Sequence, residues 1–540
     1  MLDIVRDSTL GQLINIASNG RLLPYADQRP DYVIPAKFLA PSVASPAPSF
    51  PRTDTGARTL VENEPAPMVV DDVEKAASAD LNKPSQPQPE PEKYQYLVEF
   101  EENDPDRPHV YLGSAVYTAA IPGIMAEFNV SLVVATLGLS LFVFAYGFGP
   151  MLLAPMQEMP SIGRNPPYMV GLFLFVIFQI PIVLARKVSV ILVFRFLSGF
   201  VGSPALATGG ASMGDIFSPK ALPAAIGIWS MGAVCGPIAG PVIGGFAAQA
   251  NGWKWPNLEL LWMTGFALAV LLVLLPETYE PTILVRRAER LRKLTGNKLI
   301  KAQAELDAKV GEGFFSIIGG RMKKAVQLSL EPAVLFSNVY IGLVYSIFYL
   351  WFEAFPLVFN NIYGFNLGIG GLPYLAFIVS GALTFTVYLW YQKKILLPRA
   401  INDPKFRPED RLELALFAAV FIPVSLFLFG WSARPSVHWI VPIIGAGLYL
   451  PGIFLAFQCI IMYIVTGYPL YAASILAGNA LFRSELAGGF PLFGHKFYTT
   501  LGVGGGCSLL AGLSILMMVP LYGLYKYGDR LRARSKWTTP

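Results

Sequence analysis

Two charged side chains stand where nearly every neighbour is apolar. Arg195 interrupts VSVILVFRFLSGF, and Glu353 interrupts YSIFYLWFEAFPLVF. A guanidinium inside such a block costs at least about 2.5–3.5 kcal/mol on insertion scales where it faces lipid, so it belongs against other helices or a wet cavity. It keeps its proton at ordinary pH, yet a fixed positive charge favours the ionised form of a neighbouring acid, and a bound ligand can change that balance. The other reading of Arg195 is a snorkelling side chain that caps carbonyls. Glu353 is the acid well inside its own block. Burial favours the neutral form of a carboxylic acid, as a carrier of protons requires; a packing role beside the Ala354-Phe355-Pro356 turn is the alternative. Gln458 and Asn479 are neutral polar groups in apolar blocks, able to bind a ligand or to bond helices together, the latter being the safer expectation. Arg483 and Glu485 read as a local structural pair.

A second set of residues turns or packs the chain. GAVCGPIAGPVIGG, residues 232–245, places Gly232, Gly236, Gly240 and Gly244 every fourth position, with Pro237, Pro241 and Gly245 between and beside them. In lipid a helix tolerates glycine and proline, and small residues at this spacing make a smooth face for close backbone approach. The run is either a kinked hinge or an ordinary small-residue packing face. In MQEMPSIGRNPPY, Glu158, Gly163 and Arg164 lie at a turn, and with Asp215 they can form a charged latch between helices. A solvated pair contributes only about 0–1 kcal/mol, so such a latch must be partly buried to matter. Aromatic residues including Tyr146, Tyr345, Phe348, Tyr349, Trp351 and Phe352 suit a cavity for bulky, flat, apolar ligands, although most aromatic side chains are expected to face lipid or neighbouring helices.

The chain that positions these groups has 540 residues, 54% hydrophobic and only 14% charged, whereas soluble domains run nearer a quarter charged. This balance marks an integral membrane protein. Cys235, Cys459 and Cys507 are far apart within apolar blocks and imply neither a disulfide framework nor a zinc site. His109, His438 and His495 are equally scattered, so no metal is expected. With no nucleotide-binding loop and no Ser-His-Asp arrangement, an enzyme is not expected either. The net charge of +5 comes from basic residues in interhelical loops. Orientation in a bilayer explains them better than nucleic acid does.

A spanning helix needs about 20 mainly apolar residues. Eleven such blocks begin near Leu132, Tyr168, Val188, Pro223, Leu258, Pro332, Leu367, Leu414, Trp439, Tyr468 and Thr500. A twelfth candidate, Val110–Ala126, reaches roughly 25 Å against a hydrocarbon core of about 30 Å and is short. The expected fold is all-α and integral to the membrane, twelve helices in two six-helix halves. Residues 1–109 form a mostly disordered N-terminal region, with a short amphipathic helix at its start and disorder from Ala40 to about Asp104. The halves are 110–276, with a shortened first helix, and 331–526, joined by a charged loop over 277–330 and followed by a basic tail, 527–540. That loop holds eleven Lys and Arg, the next loop on the same side six and the tail, counted with Lys526, five, against five on the other side. By the positive-inside bias both termini are cytosolic. The sequon at Asn129 then falls outside.

The same segments resemble those of one family. GAVCGPIAGPVIGGF looks like the fifth-helix signature of proton-coupled antiporters in the major facilitator superfamily. MQEMPSIGRNPPY resembles its loop between helices two and three, with Glu158, Gly163 and Arg164 at matching positions. RFLSGFVGSPALATGGASMGDIF resembles the fourth-helix motif, beginning at Arg195, and PET (276–278), YLWFEAFPLVF, LRARSKW and IVRDSTLGQ agree. Together they resemble fungal multidrug exporters of the benomyl, caffeine and fluconazole type, along almost the whole chain. The resemblance implies a plasma-membrane exporter of amphipathic compounds, such as fungal metabolites, toxins and antifungal drugs. It implies a proton gradient as energy source in place of any cofactor, a monomer, no nucleic-acid partner, and a role in proton coupling for Arg195. An importer of a small nutrient would lack the glycine and proline run. A receptor or scaffold would need neither Arg195 nor two matched halves.

Overall fold

A computed structural model of the chain describes residues 2–18, 21–29, 32, 34, 96–98, 117–204, 208–217, 222–307, 314–403, 406–468 and 471–537. The stretch expected to be disordered lies outside these residues except for Tyr96–Val98, and so does the start of the short first span, 110–116.

Nine helical rods among the described residues are long and apolar enough to cross a membrane. The last, Ser474–Ala533, is two spans, because Gly502 leaves the helical region at φ 73°, ψ 157°, a conformation that suits a residue without Cβ. The fourth span is described in two pieces, Val188–Gly202 and Gly209–Ile216. Splitting the one rod and adding the fourth span gives the eleven that the hydropathy pattern marks, each starting within a few residues of its expected position. The described remainder of the first span is a 3₁₀ turn, Thr118–Ala120, and a helix, Ile121–Phe128. Local chemistry sets several ends: Ser131 accepts from the Val134 N–H at the start of the second span, and Pro332 opens the seventh, where its missing N–H costs no helical bond. Pro237 and Pro241 sit inside a helix unbroken over Leu222–Asn251.

The seventh span (Pro332–Phe355, continuing as a π-turn over Pro356–Ile362) and the tenth (Ile440–Gly467) are the most enclosed. Trp351, Phe355, Phe377, Phe429 and Tyr449 interlock around the seventh, with Trp351 edge-on to Phe429 at 4.6 Å, a geometry that ring quadrupoles favour. A smaller cluster of Tyr117, Ile124, Ala135, Ile182, Ile191 and Trp253 serves the first half. The sixth span is peripheral and exposes Trp262 and Phe266, as a lipid-facing helix does.

One face gathers both ends of the chain. Thr9 reaches Asn165 and Gln12 reaches Arg286, while at the other end Arg532 reaches Glu409. We call this the terminal face and its opposite the distal face. Two additions to the expected spans appear here. The charged linker carries helices at Glu280–Thr295, Gln303–Asp307 and Phe314–Ser329. One short strand pair accompanies the helices, Tyr96–Val98 running parallel to Ile300–Ala302, so these three residues of the segment expected to be disordered form a strand.

Candidate functional site

The fourth span seats Arg195 between helices, 3% exposed, with one Nη donating to Asn257 Oδ1 of the sixth span at 2.9 Å. Its guanidinium lies 3.5 Å from the centroid of the Tyr117 ring and 5.9 Å from that of Phe142. Its Nε has no partner, and among the described residues no carboxylate bonds to it. The neighbouring acid that the sequence invites is therefore replaced by an amide and two ring faces. Cation–π contact of this kind is worth about 2 kcal/mol or more when desolvated. It is an interior position, as its cost in lipid requires, and carbonyl capping by a snorkelling side chain is not what the guanidinium does.

Glu353 belongs to the seventh span and is 8% exposed. No hydrogen bond or ion pair reaches its carboxyl among the described residues; the Tyr374 and Tyr498 phenols lie within electrostatic reach. The eleventh span passes close at Gly494, where a Cβ would come within 3.0 Å of Glu353 Cγ. A carboxyl without a fixed partner is free to take and release a proton, since no bond must break first.

The two neutral polar residues bond helices. Gln458 of the tenth span donates to Ser230 Oγ of the fifth at 2.8 Å, joining the two halves. Asn479 of the eleventh donates to Asn338 Oδ1 of the seventh at 2.8 Å, within one half. Arg483 and Glu485 do not pair: Arg483 is buried and Glu485 is exposed on another side of the helix.

The fifth span lays its small residues on the eighth, Ile369–Asn402. A Cβ at Gly245 would stand 2.7 Å from the Leu367 carbonyl, and one at Gly371 2.5 Å from that of Pro241. Beyond them Gln249 accepts from the Gly368 N–H at 2.8 Å. Gly240, Pro241, Gly244 and Gly245 are buried, and Gly232, Gly236 and Pro237 half-buried. The close contact belongs to the distal end of the run and joins one half to the other.

At the terminal face the expected latch of Glu158, Gly163, Arg164 and Asp215 is two devices. Arg164 Nε bonds Asp215 Oδ2 at 2.8 Å and its guanidinium lies 5.0 Å from the Tyr279 ring centroid. This pair is largely buried, so the discount for solvated pairs does not apply, but it ties helices within one half. Glu277, not recognised as a site residue from sequence, is the hub. Its carboxylate accepts from the backbone N–H groups of Arg164 (2.9 Å), Asn165 (3.3 Å), Thr278 and Tyr279 (3.0 Å each). Gly163 takes φ 84° in the turn above it, where any Cβ would strike the Glu277 carboxylate. Glu158 instead meets Arg321 at 2.6 Å. Arg321 lies on the helix Phe314–Ser329 that feeds the seventh span, so this bond crosses between halves. Around it Met151, Ala154 and Pro155 face Ser474 and Ala477.

The N-terminal segment docks beside the hub. Ser8 bridges to Pro276, Thr9 Oγ1 donates to Asn165 Oδ1 at 2.6 Å, and Asp27 accepts from Arg290 Nε at 2.9 Å with Tyr25 stacked on the same guanidinium. At the distal face, Asn129 is exposed in a left-handed turn between the first and second spans. Beside it Glu127 accepts from the Trp253 indole N–H at 2.6 Å and lies 3.4 Å from Lys254 Nζ. That indole bond holds the Glu127 carboxyl below its ordinary range against the opposing effect of burial, with Lys254 adding to the lowering.

This arrangement has known counterparts. The chain is 36% identical to the cycloheximide resistance protein of Candida maltosa, over 99% of this chain and 100% of that one. It is 40% identical to fluconazole resistance protein 1 of Saccharomyces cerevisiae, over 79% of this chain and 78% of that protein. Its fold matches the proton:xylose symporter XylE with a TM-score of 0.52 at 14% identity, covering 76% of this chain and 92% of XylE. Residues 110–490 match the family model described as Major Facilitator Superfamily, and with two facing helical halves, a buried arginine in the fourth span and a glycine-lined fifth, the chain belongs to that superfamily of membrane transporters.

Proposed function

We propose that this protein exports amphipathic organic molecules, antifungal drugs and secondary metabolites among them, in exchange for protons. Export is supported by the likeness to relatives named for resistance to cycloheximide and fluconazole, along all or most of their length. The observation that carries proton coupling is Glu353, a buried carboxyl with no bonded partner among the described residues, at the seam between the seventh and eleventh spans. Arg195 adds a fixed charge in the other half, held by Asn257 and Tyr117. Proton uptake at the acid and cargo release are alternative ways of compensating charge in a low-dielectric interior. The positive-inside bias puts the terminal face in the cytosol and the distal face outside, at a fungal plasma membrane, with a single chain as the working unit.

The test is retention of a panel of dyes, azoles and fungal metabolites in a pump-deficient yeast expressing the chain, with and without a proton gradient. Gradient-dependent loss of at least one compound is expected, and Glu353→Gln should abolish it without lowering expression. No gradient-dependent loss of any compound refutes export, while an unchanged pH dependence in the variant refutes the role of Glu353.

A further inference from the structure

Within the spans, Arg195 is joined by another buried guanidinium, on the eleventh. Arg483 is 8% exposed, its Nε has no acceptor, and among the described residues no hydrogen bond or ion pair reaches any part of it. Rings surround it instead: the Tyr345 centroid, from the seventh span, at 4.8 Å and the Phe457 centroid, from the tenth, at 5.3 Å. Tyr349 packs edge-on to Tyr345 at 5.2 Å. Tyr146 of the second span, in the opposite half, lies within electrostatic reach of both Arg483 and Tyr345, and the adjoining Ser484 abuts Gly147 of that same span. Arg483 therefore stands at the seam of the two halves, flanked by two aromatic faces with further tyrosines beside them.

A lone cation at such a site is costly unless a counter-charge compensates it, and ring faces compensate only part. The acids nearest in sequence do not serve. Glu485 is exposed, and Glu353 meets this helix at Gly494, eleven residues away and so about 16 Å along the axis. The planar guanidinium fork matches a carboxylate, and the rings match the flat apolar body of the molecule that bears it.

We propose that Arg483 binds the carboxylate of an amphipathic organic acid, with Tyr345, Tyr349 and Phe457 holding its apolar part, so that lipophilic organic anions are a cargo class of this transporter. The proposal rests on the export reading above and adds the charge of the cargo to it.

The experiment uses the full-length protein in proteoliposomes with an imposed proton gradient and two probes of nearly equal size, dansyl-phenylalanine and its neutral amide. Wild-type protein should move both. Arg483→Gln should lose transport of the acid by at least about tenfold, the value of one charge-assisted bond, and keep that of the amide. Arg483→Lys, which retains the charge without the fork, should fall between. Equal losses for both probes, or no loss for either, overturn the proposal. So does a wild type that moves the amide alone or neither probe; the export reading itself is decided separately by the panel of dyes, azoles and metabolites. Should Arg483→Gln fail to fold, thermal protection decides: the acid must stabilise the wild type more than the amide does, and lose that advantage in Arg483→Lys.

Discussion

Replacing Glu277 with alanine tests the terminal-face hub directly. Four backbone N–H groups converge on this carboxylate, and two of them, on Arg164 and Asn165, belong to buried residues from a turn more than a hundred positions away. Thr278 and Tyr279 lie in the same local turn as Glu277 and can find other acceptors, so the estimate counts only the distant pair. A buried donor left without an acceptor costs about 1–3 kcal/mol, which places Glu277→Ala roughly 2–6 kcal/mol below wild type. A domain of 250 residues shifts by about 2 °C per kcal/mol and a longer chain by less, so the midpoint should fall by several degrees, at most roughly 12 °C. Glu277→Gln keeps one acceptor oxygen and should lose less. The assay is thermal unfolding in detergent at one scan rate, read with a thiol-reactive dye in a Cys235→Ala background. There the remaining cysteines, Cys459 and Cys507, are buried until the bundle opens. A Glu277→Ala midpoint indistinguishable from wild type refutes the account of this residue as the acceptor that holds the turn.

Other consequences can be checked as directly. The Glu158–Arg321 pair is partly exposed, at 26% and 37%, so breaking it should cost little stability, within about 1 kcal/mol; Glu158→Arg should nevertheless impair efflux, and adding Arg321→Glu should restore it, because the bond joins the two halves. Asn129→Cys, with the native cysteines replaced, should react with an impermeant maleimide on intact cells, whereas Arg292→Cys should react only after permeabilisation; the opposite pattern inverts the topology. Glu127 sits below its ordinary carboxylate range because of the Trp253 bond, so its contribution to stability is present above the usual glutamate value near 4.3 and is lost as pH falls through the lower folded value. Tryptophan-monitored melting should show the wild type converging on Glu127→Gln at low pH and exceeding it at neutral pH.

Hydropathy was enough to find the spans because a bilayer leaves the backbone one economical way across, so composition alone locates each rod. It succeeded at Leu132, Val188 and Pro332, and it flagged the short first span. It did not foresee the helices Glu280–Thr295 and Phe314–Ser329, which are charged and packed on the terminal face, where no lipid enforces a simple pattern. Strand pairing of Tyr96–Val98 with Ile300–Ala302 spans some two hundred residues, a separation no local signal reports.

The site shows the same division. Arg195, Glu353, Gln458 and Asn479 are conspicuous because polarity in an apolar block is expensive, and each is indeed buried in the bundle. What each one touches was not legible. Asn257, Ser230 and Asn338 are ordinary polar residues until packing brings them to a partner. Glu158 and Arg164 illustrate the limit most clearly: six residues apart, they look like members of one latch, yet the turn at Gly163 sends Arg164 inward to Asp215 and Glu277 while Glu158 faces Arg321 across the seam. Proximity in sequence suggested one function, and left-handed backbone at a single glycine divided it into two. Charges that hold a half together must stay buried through a transport cycle, and charges that join the halves must be able to separate. The greater exposure of Glu158 and Arg321 than of Arg164 is the physical difference such a division of labour needs, since a bond already shared with water costs less to open.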